Sequence, residues 1–434
     1  MKIGRKMEPI LTGIIMLIVY ALILYAMYKG LNAILGVFAL AFLWPLIAGV
    51  PLDVLLHEVF EKGIVLTGAG TVEILIGAWF GYILITTGVV ETIIRGAAEL
   101  GGERPTLVAI LTSAAVALVF TTVYGAGATV MTGSIAIPIL SALGVSGPVA
   151  AATFTLAQAS GLLMNPILFS IINVAYWKSS LSYSDLYSFF IISTVLTFIV
   201  CVIPFNVLKT RRLRRTLTDG GSRESEEVKR MPWYTLISIA IPLLLVIVFK
   251  WPPRASFLVG IIYAIISTHI ATRRKFSEDV DVLFKSFIKS LPDMSYIILL
   301  NMALGVLING FGQDPVKNSF LAVLGPVIPT TRPLWSTLFT ISFIAIPFRG
   351  PLGIPGIAPL LLGALEISPL TTTFMFAGFW GTLFTLKSAD PTDSQVIWPI
   401  AFSKSDPIKH LKTILLFSAI GQIIVAWLAF SFVA

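Results

Sequence analysis

The sequence predicts an all-α polytopic membrane protein, and three observations lead to that fold class. The 434 residues are 56% hydrophobic and only 12% charged, with a mean hydropathy of +0.93, whereas a soluble domain carries about 25% charged residues. Apolar runs long enough to cross a bilayer recur along the chain. The two halves also repeat the same order of runs. These features argue against a soluble enzyme, and the net charge of +8 is assigned to membrane-flanking loops rather than to nucleic-acid binding.

Ten apolar runs have the length of about 20 residues that a membrane-spanning helix needs. The first run is longer than the core of a signal peptide, so we expect it to be a retained span. The ten runs are residues 9–28, 31–50, 72–94, 147–176, 186–208, 233–250, 255–272, 293–312, 368–402 and 411–433.

Two further apolar regions, 105–145 and 333–366, are too long for one span and have glycine-rich centres. The centres read YGAGATVMTG at 124–133 and FRGPLGIPG at 348–356. Because glycine and proline interrupt a helix, each region is predicted to be a re-entrant helical hairpin that returns to the side it entered.

Two short segments, 52–62 and 276–288, have apolar residues at helical spacing. This pattern is typical of helices that lie in the membrane interface, and ordinary loop helices explain it nearly as well. The single cysteine, Cys201, argues against a disulfide framework or a thiolate metal site. The histidines share no metal-binding spacing and are predicted to be interfacial, as are three glutamates. These residues are His57, His269, His410, Glu73, Glu91 and Glu366.

A basic loop, 209–232, divides the chain into an N-terminal repeat, 1–208, and a C-terminal repeat, 233–434. Lys and Arg are concentrated in this loop and in other loops on its side, which predicts that it is cytoplasmic. Each predicted half has five crossings, and an odd number inverts the second half relative to the first. Inverted repeats with helices broken near the midplane are typical of secondary transporters. The expected location is the cytoplasmic membrane.

The matching residues lie in the hairpins and in the spans that follow them. SIAIPILSALGVSGP at 134–148 matches GIAPLLLGALEISP at 356–369, and the proline step at Asn165 matches the one at Asp390. Chance similarity between apolar Gly/Pro-rich segments is the competing explanation, and the shared order of seven elements disfavours it. The spans with the matching proline steps are predicted to be broken helices, at 147–176 and 368–402.

This doubled order of hairpin, broken helix and final span resembles the ion transporter superfamily. That group includes permeases for gluconate, citrate, lactate and C4-dicarboxylates, divalent-anion:sodium symporters and some sodium/proton antiporters. The resemblance rests on GAGATVMTGSIAIPILSALG with LLMNP, and on RGPLGIPGIAPLLLGALEISP with SADPTDSQ. The hairpin tips depart from the Ser-Asn-Thr signature of sodium-coupled divalent-anion members. The resemblance implies a transport domain of hairpins and broken helices that moves like an elevator against a scaffold, commonly in a homodimer.

Backbone interrupted at bilayer depth frees amide and carbonyl groups that can bind ions. Two tips and two breaks would place four such ends around one site. Arg349 is the candidate carboxylate anchor because its planar fork matches a carboxylate, with a structural salt bridge to Asp390 or Asp393 as the alternative. Lys387 is a second candidate, with snorkelling or local pairing as the alternative. The candidate substrate-binding residues are Gly125, Gly127, Thr129, Asn165, Arg349, Gly350 and Lys387.

Asp390 and Asp393 are predicted to take part in ion coupling, and three interpretations stay open. A partly desolvated carboxylate can load and unload a proton. Hard oxygen donors, including Ser394, suit sodium. The aspartates could instead only balance Lys387 and Arg349, and a balanced site binds an anion only together with a proton or cation. The ion-coupling candidates are Asp390, Asp393, Ser394 and Gln158.

The sequence therefore predicts a secondary active transporter for a small organic anion, in our interpretation a carboxylate, coupled to H⁺ or Na⁺. The alternative is an Na⁺/H⁺ antiporter that uses Asp390 and Asp393. The sequence contains no Walker loop and no protease constellation, so we expect neither enzymatic activity nor a cofactor beyond the coupling ion. The expected partners are the organic anion, the coupling cation, the lipid bilayer and a second copy of the chain, without nucleic acid.

Overall fold

In a computed structural model, the structure describes residues 8–177, 180–210, 230–342, 370–391 and 393–432. All regular elements within these ranges are helices, which confirms the all-α class. The main helices are α1 (Pro9–Tyr28), α2 (Ala33–Ile47), α3 (Leu52–Thr86), α4 (Val89–Leu100), α5 (Pro105–Phe120), α6 (Ala126–Ala142), α7 (Gly147–Leu162), α8 (Pro166–Trp177), α9 (Tyr183–Thr210), α10 (Ile241–Ile247), α11 (Pro253–Thr272), α12 (Phe276–Phe311), α13 (Asp314–Leu324), α14 (Arg332–Ile341), α15 (Thr372–Ala389), α16 (Ser394–Phe402) and α17 (Pro407–Phe432).

Within the described ranges, six helices are long and apolar enough to cross a membrane, or seven if the bent pair α7–α8 counts as one span. The chain is therefore a multi-pass membrane protein. The predicted number of ten spans is not confirmed, and it stays a prediction together with the inverted repeats. The six helices are α1, α3, α9, α11, α12 and α17.

The predicted interfacial helix 52–62 is not a separate element, because it continues into the next span as α3. Residues Leu55–Glu61 form a π-helical turn, which widens the helix without ending it. The helix ends instead at Thr86, and Gly88 adopts a φ of 81° before α4 begins. Glycine reaches this left-handed conformation without steric cost, so the predicted span 72–94 is divided there.

The predicted interfacial helix 276–288 is likewise joined to the span after it. Helix α12 runs without interruption for 36 residues and contains Pro292. Proline removes one backbone hydrogen bond from a helix, and membrane helices tolerate this loss where neighbouring groups satisfy the freed carbonyl. The prediction that 276–288 is separate from the span at 293–312 is therefore wrong.

One group of helices, here called the α12 cluster, consists of α1, α2, α3, α11, α12 and α13. Helices α3 and α12 approach closely at Gly63 and Gly305, where a Cβ on Gly305 would lie 2.3 Å from the Gly63 carbonyl oxygen. Small residues permit such close backbone contact between membrane helices. Trp44 packs edge-on against Phe311 and Phe320, with ring centroids 5.2 and 4.9 Å away.

A second group, here called the α7 cluster, consists of α5, α7, α9, α15 and α17. Both α7 and α15 are buried along almost their whole length, as expected for helices that are apolar on every face. A Cβ on Gly161 would lie 2.1 Å from the Ala117 carbonyl oxygen, and one on Gly381 would lie 2.9 Å from the Ala426 nitrogen. These contacts place the helices that precede the two interruptions at the centre of the protein.

Both predicted broken helices are interrupted in the structure. Helices α7 and α8 meet at an angle of 70°, and α15 ends at Ala389 before α16 begins at Ser394. We call these interruptions the first break, 163–165, and the second break, 390–393. Helices α5 and α6 lie in the first predicted hairpin region and are joined by residues 121–125, and we call residues 121–127 the first tip. That this pair re-enters the membrane from one side stays a prediction.

Parts of the predicted architecture lie outside the described residues. The linker 209–232 is described only at its two ends, and the hairpin 333–366 only up to residue 342. Arg349 and Gly350 belong to the range that the structure does not describe.

Candidate functional site

The second break holds a buried ion pair. Lys387 Nζ lies 2.8 Å from Asp393 Oδ2, and the two side chains are 5% and 13% exposed. Lys387 also donates a hydrogen bond of 3.3 Å to Tyr124 Oη, and its ammonium lies 5.2 Å from the centroid of that ring, within reach of a cation–π interaction. An unpaired charge is costly in a membrane. Pairing with Asp393 therefore explains how Lys387 is retained there.

Asp393 has a second task at the start of α16. Its Oδ1 accepts a hydrogen bond of 2.8 Å from the backbone nitrogen of Gln395, so Asp393 is the N-cap of the helix. A carboxylate at this position also interacts favourably with the positive end of the helix dipole. Because one oxygen caps α16 and the other holds Lys387, Asp393 joins the two half-helices across the second break.

Gln158 connects the second break to the first hairpin. Its Nε2 donates to the Gln395 carbonyl oxygen at 3.3 Å, and its Oε1 accepts from Thr129 Oγ1 at 3.1 Å. Both Gln158 and Thr129 are fully buried. Four of the predicted site residues, Thr129, Gln158, Lys387 and Asp393, thus belong to one hydrogen-bonded chain across α6, α7, α15 and α16.

The first tip carries its own carboxylate contact. The backbone nitrogen of Gly127 donates to Asp293 Oδ2 at 2.6 Å, and Tyr82 Oη donates to the same oxygen at 2.7 Å. The predicted anion-binding amide at Gly127 is therefore bonded to a residue of α12. The sequence analysis did not single out Asp293, because it falls at the boundary between two predicted helices that are in fact one. The detectable signal is a lone aspartate after Pro292 at the edge of an apolar run.

Asn165 organises the first break. Its Nδ2 donates to the carbonyl oxygens of Phe120 and Val123 at 2.8 and 3.1 Å. Its Oδ1 accepts from the nitrogens of Ile167 and Leu168 at 2.8 and 3.0 Å. An amide side chain has two donor hydrogens and two acceptor lone pairs, and all four are used here. Its predicted part in substrate binding stays a prediction.

The remaining candidates at the second break differ in burial. Asp390 is fully buried, and its carbonyl oxygen accepts from the Asp393 nitrogen at 3.1 Å. Ser394 is exposed at the first residue of α16. Gly125 is the N-cap residue of α6, with a φ of 119°. The coupling and binding roles of these residues stay predictions.

His410 is a buried residue that the sequence analysis described only as interfacial. Its side chain is fully buried, and its Nε2 donates to the Ser388 carbonyl oxygen at 3.1 Å. That carbonyl belongs to the last turn of α15, where helix carbonyls lack intrahelical partners. Because neighbouring lysines, Lys409 and Lys412, suggest a surface segment, only the tertiary structure identifies the burial.

The arrangement brings a cation, carboxylates and the two helix ends of the second break to one place, and some groups at these ends are bonded to Asp393 and His410. An incoming carboxylate could replace Asp393 as the partner of Lys387, and the released Asp393 would then need a proton or a metal cation. The helix ends on both sides of the second break offer backbone groups of both polarities. This chemistry suits reversible binding of an anion together with a cation.

Comparison with protein families gives one match. Residues 12–308 match the family model described as "Tripartite ATP-independent periplasmic transporter, DctM component". The matched range is more than half of the chain and contains the first tip, the first break and Asp293, whereas the second break lies beyond it. Comparison with curated proteins gave no match.

Proposed function

We propose that this chain carries a small organic carboxylate across the cytoplasmic membrane together with Na⁺ or H⁺. The chain belongs to the DctM family, whose members are a component of tripartite ATP-independent periplasmic transporters. The family consists of secondary transporters for organic acids, and such systems need a substrate-binding protein. The carboxylate class, the coupling cation and the membrane are the parts that we propose.

The observation that carries the proposal is the buried pair of Lys387 and Asp393 at an interrupted helix. Replacing a buried ion pair with apolar residues of similar size is often neutral or stabilising. A pair retained inside a membrane protein therefore suggests a functional use. An ammonium held at a break, in contact with Tyr124 of the first tip, suits the recognition of a carboxylate.

We propose that charge balance produces the coupling. While Lys387 is paired with Asp393, the two charges cancel and the pair has no net charge. A carboxylate that binds Lys387 leaves Asp393 without its partner, and a proton or Na⁺ on Asp393 or Asp390 would restore neutrality. Arg349 and Gly350 remain candidates from the sequence for binding the anion. Ser394 remains a candidate for binding the cation.

We propose further that the broken helices and hairpins move as a unit, in the elevator manner that the superfamily resemblance implies. The close packing of α7 against α15 supports this, because it joins the helices that precede the two breaks. The predicted homodimer has no support from the family assignment, since tripartite systems work with other subunits. The Na⁺/H⁺ antiporter alternative has no specific observation in its favour.

The proposal can be tested by uptake of labelled carboxylates into membrane vesicles that contain the chain with its partner subunits. We expect uptake driven by an imposed Na⁺ or pH gradient, and loss of this uptake in Lys387→Gln and Asp393→Asn. The matched control is the exposed pair Lys285–Asp281 on α12, with an Nζ–Oδ2 distance of 2.7 Å. Its variants, Lys285→Gln and Asp281→Asn, should keep uptake. Gradient-independent uptake, or equal loss in the control variants, would contradict the proposal.

A further inference from the structure

A single carboxylate oxygen joins three helices at the first tip. Asp293 on α12 accepts, at Oδ2, one hydrogen bond from the Gly127 backbone nitrogen and one from Tyr82 Oη on α3. The two distances, 2.6 and 2.7 Å, are short, as expected for hydrogen bonds to an ionised acceptor. The oxygen thus links the start of α6 to two members of the α12 cluster.

The two glycines of the first tip make this contact possible. A Cβ on Gly127 would lie 1.7 Å from Tyr82 Oη and 2.5 Å from Asp293 Oδ2, distances that no side chain can occupy. Gly125 has a φ of 119°, and a Cβ there would lie 3.2 Å from Asp293 Oδ2. The glycine pattern of the tip therefore matches the close approach of Asp293, independently of any transported anion.

The same tip also reaches the second break. Tyr124, three residues before Gly127, accepts a hydrogen bond from Lys387 at 3.3 Å. The tip is therefore held at Gly127 by Asp293 in the α12 cluster and at Tyr124 by Lys387 in the α7 cluster. Only two residues separate Gly127 from Tyr124, so the contacts with Asp293 and with Lys387 hold the same short segment.

We propose that Asp293, together with Tyr82, is a latch that positions the first tip. While the latch is closed, it fixes Tyr124 against Lys387. The latch must open before the tip, α6 and the second break can move relative to α3 and α12. This inference rests on the proposed movement of the hairpins and broken helices, and it holds whichever substrate or coupling ion the transporter uses.

The test is site-specific thiol labelling of the full chain in membrane vesicles. A reporter cysteine replaces Ala126, which is half-buried in the tip, and the natural Cys201, which is fully buried, remains as an internal control for folding. The labelling rate of each cysteine with a maleimide is followed by mass spectrometry of its peptide. Because loss of one charge-assisted hydrogen bond corresponds to about a tenfold change in an equilibrium, we expect about tenfold faster labelling at residue 126 in Asp293→Asn.

Three variants complete the experiment. Tyr82→Phe removes one of the two bonds and should give a smaller increase, and Asp293→Glu keeps the carboxylate and should restore part of the protection. Asp281→Asn, on the exposed side of α12, should change nothing. Unchanged labelling at residue 126 in Asp293→Asn would overturn the latch. Equal exposure of Cys201 in that variant would also overturn it, because Asp293 would then support the whole fold rather than the tip.

Discussion

The two broken helices of this protein solve one structural problem with different chemistry. At the first break, Asn165 bonds two carbonyl oxygens and two backbone nitrogens with a neutral amide. At the second break, Lys387 and Asp393 bridge the interruption with opposite charges. Both satisfy backbone or side-chain groups that an interrupted helix leaves without partners.

The difference separates a static break from one that can exchange partners. The amide of Asn165 has no unused donor or acceptor, and two further carbonyls of the first break, those of Leu163 and Met164, accept from Trp380 and Tyr183. A substrate would gain nothing by competing there. The charged pair at the second break can instead be separated by an incoming anion and cation. We therefore infer that the first break supports the fold and the second break carries the transport chemistry.

The largest expected effect is that of removing one charge from the second break. Lys387→Met should lower the free energy of unfolding by about 3 to 5 kcal/mol, because it leaves a buried carboxylate without its partner. The double variant Lys387→Met/Asp393→Asn should regain much of this stability and still fail to take up carboxylates. Thermal unfolding of the purified protein and vesicle uptake measure the two properties. Recovery of uptake in the double variant would show that the pair is structural only.

The next effect is a loss of stability at the first break with little effect on transport. Asn165→Ala removes four hydrogen bonds and costs about 1 to 3 kcal/mol for each backbone group that stays buried and unsatisfied. Any uptake that remains should have an unchanged KM. The matched control is Asn309→Ala, since the Asn309 side chain makes one exposed hydrogen bond, to the Glu58 carbonyl oxygen. A large increase in KM without loss of stability would instead support the prediction that Asn165 binds substrate.

A still smaller effect on stability is expected for the bridge, the hydrogen bonds that link Thr129 through Gln158 to Gln395. Thr129→Val removes one hydrogen bond to Gln158, worth about 1 kcal/mol, and keeps the shape of the side chain. We expect a higher KM for the transported carboxylate because Gln158 then positions Gln395 less firmly. Thr132→Val, on the same helix, is the control, since the Thr132 hydroxyl lies outside this chain of hydrogen bonds. Equal KM values in the two variants would show that the bridge does not contribute to substrate binding.

The smallest effect on transport is expected for Trp380→Phe. This change removes the hydrogen bond of 3.0 Å from Trp380 Nε1 to the Leu163 carbonyl oxygen and keeps an aromatic ring against Phe376. The lost hydrogen bond costs about 1 kcal/mol, and the cavity left at this fully buried position lowers stability further, with normal uptake. A change in transport comparable to that of Lys387 variants would contradict the static description of the first break.

The sequence predicted local features well. Apolar runs identified a helical membrane protein, and the proline steps at Asn165 and Asp390 located both breaks. It also selected Thr129, Gln158, Lys387 and Asp393, which the structure brings together. The errors lie where a local signal was weak: the polar face of 276–288 suggested a boundary inside α12, although neighbouring helices stabilise one continuous helix there.

Other residues could be recognised only after folding. Asp293 has only a weak local signal, its place after Pro292 at the edge of an apolar run, and His410 stands beside lysines like a surface residue. Their importance comes from partners on other helices, namely Gly127 and Tyr82 for Asp293, and the Ser388 carbonyl for His410. A single sequence does not encode such a pairing as a pattern.

The sequence by itself determined that this protein lies in a lipid bilayer and where its helices stop. Hydrophobicity and the backbone limits of glycine and proline act locally, so both are visible in a single sequence. The tertiary structure decided which polar groups meet. Tyr124 and Lys387 are 263 residues apart, Gln158 and Gln395 are 237 apart, and Gly127 and Asp293 are 166 apart. Buried polar groups must find hydrogen-bond partners, and in this fold the packing of α6 and α7 against α16 and α12 supplies them.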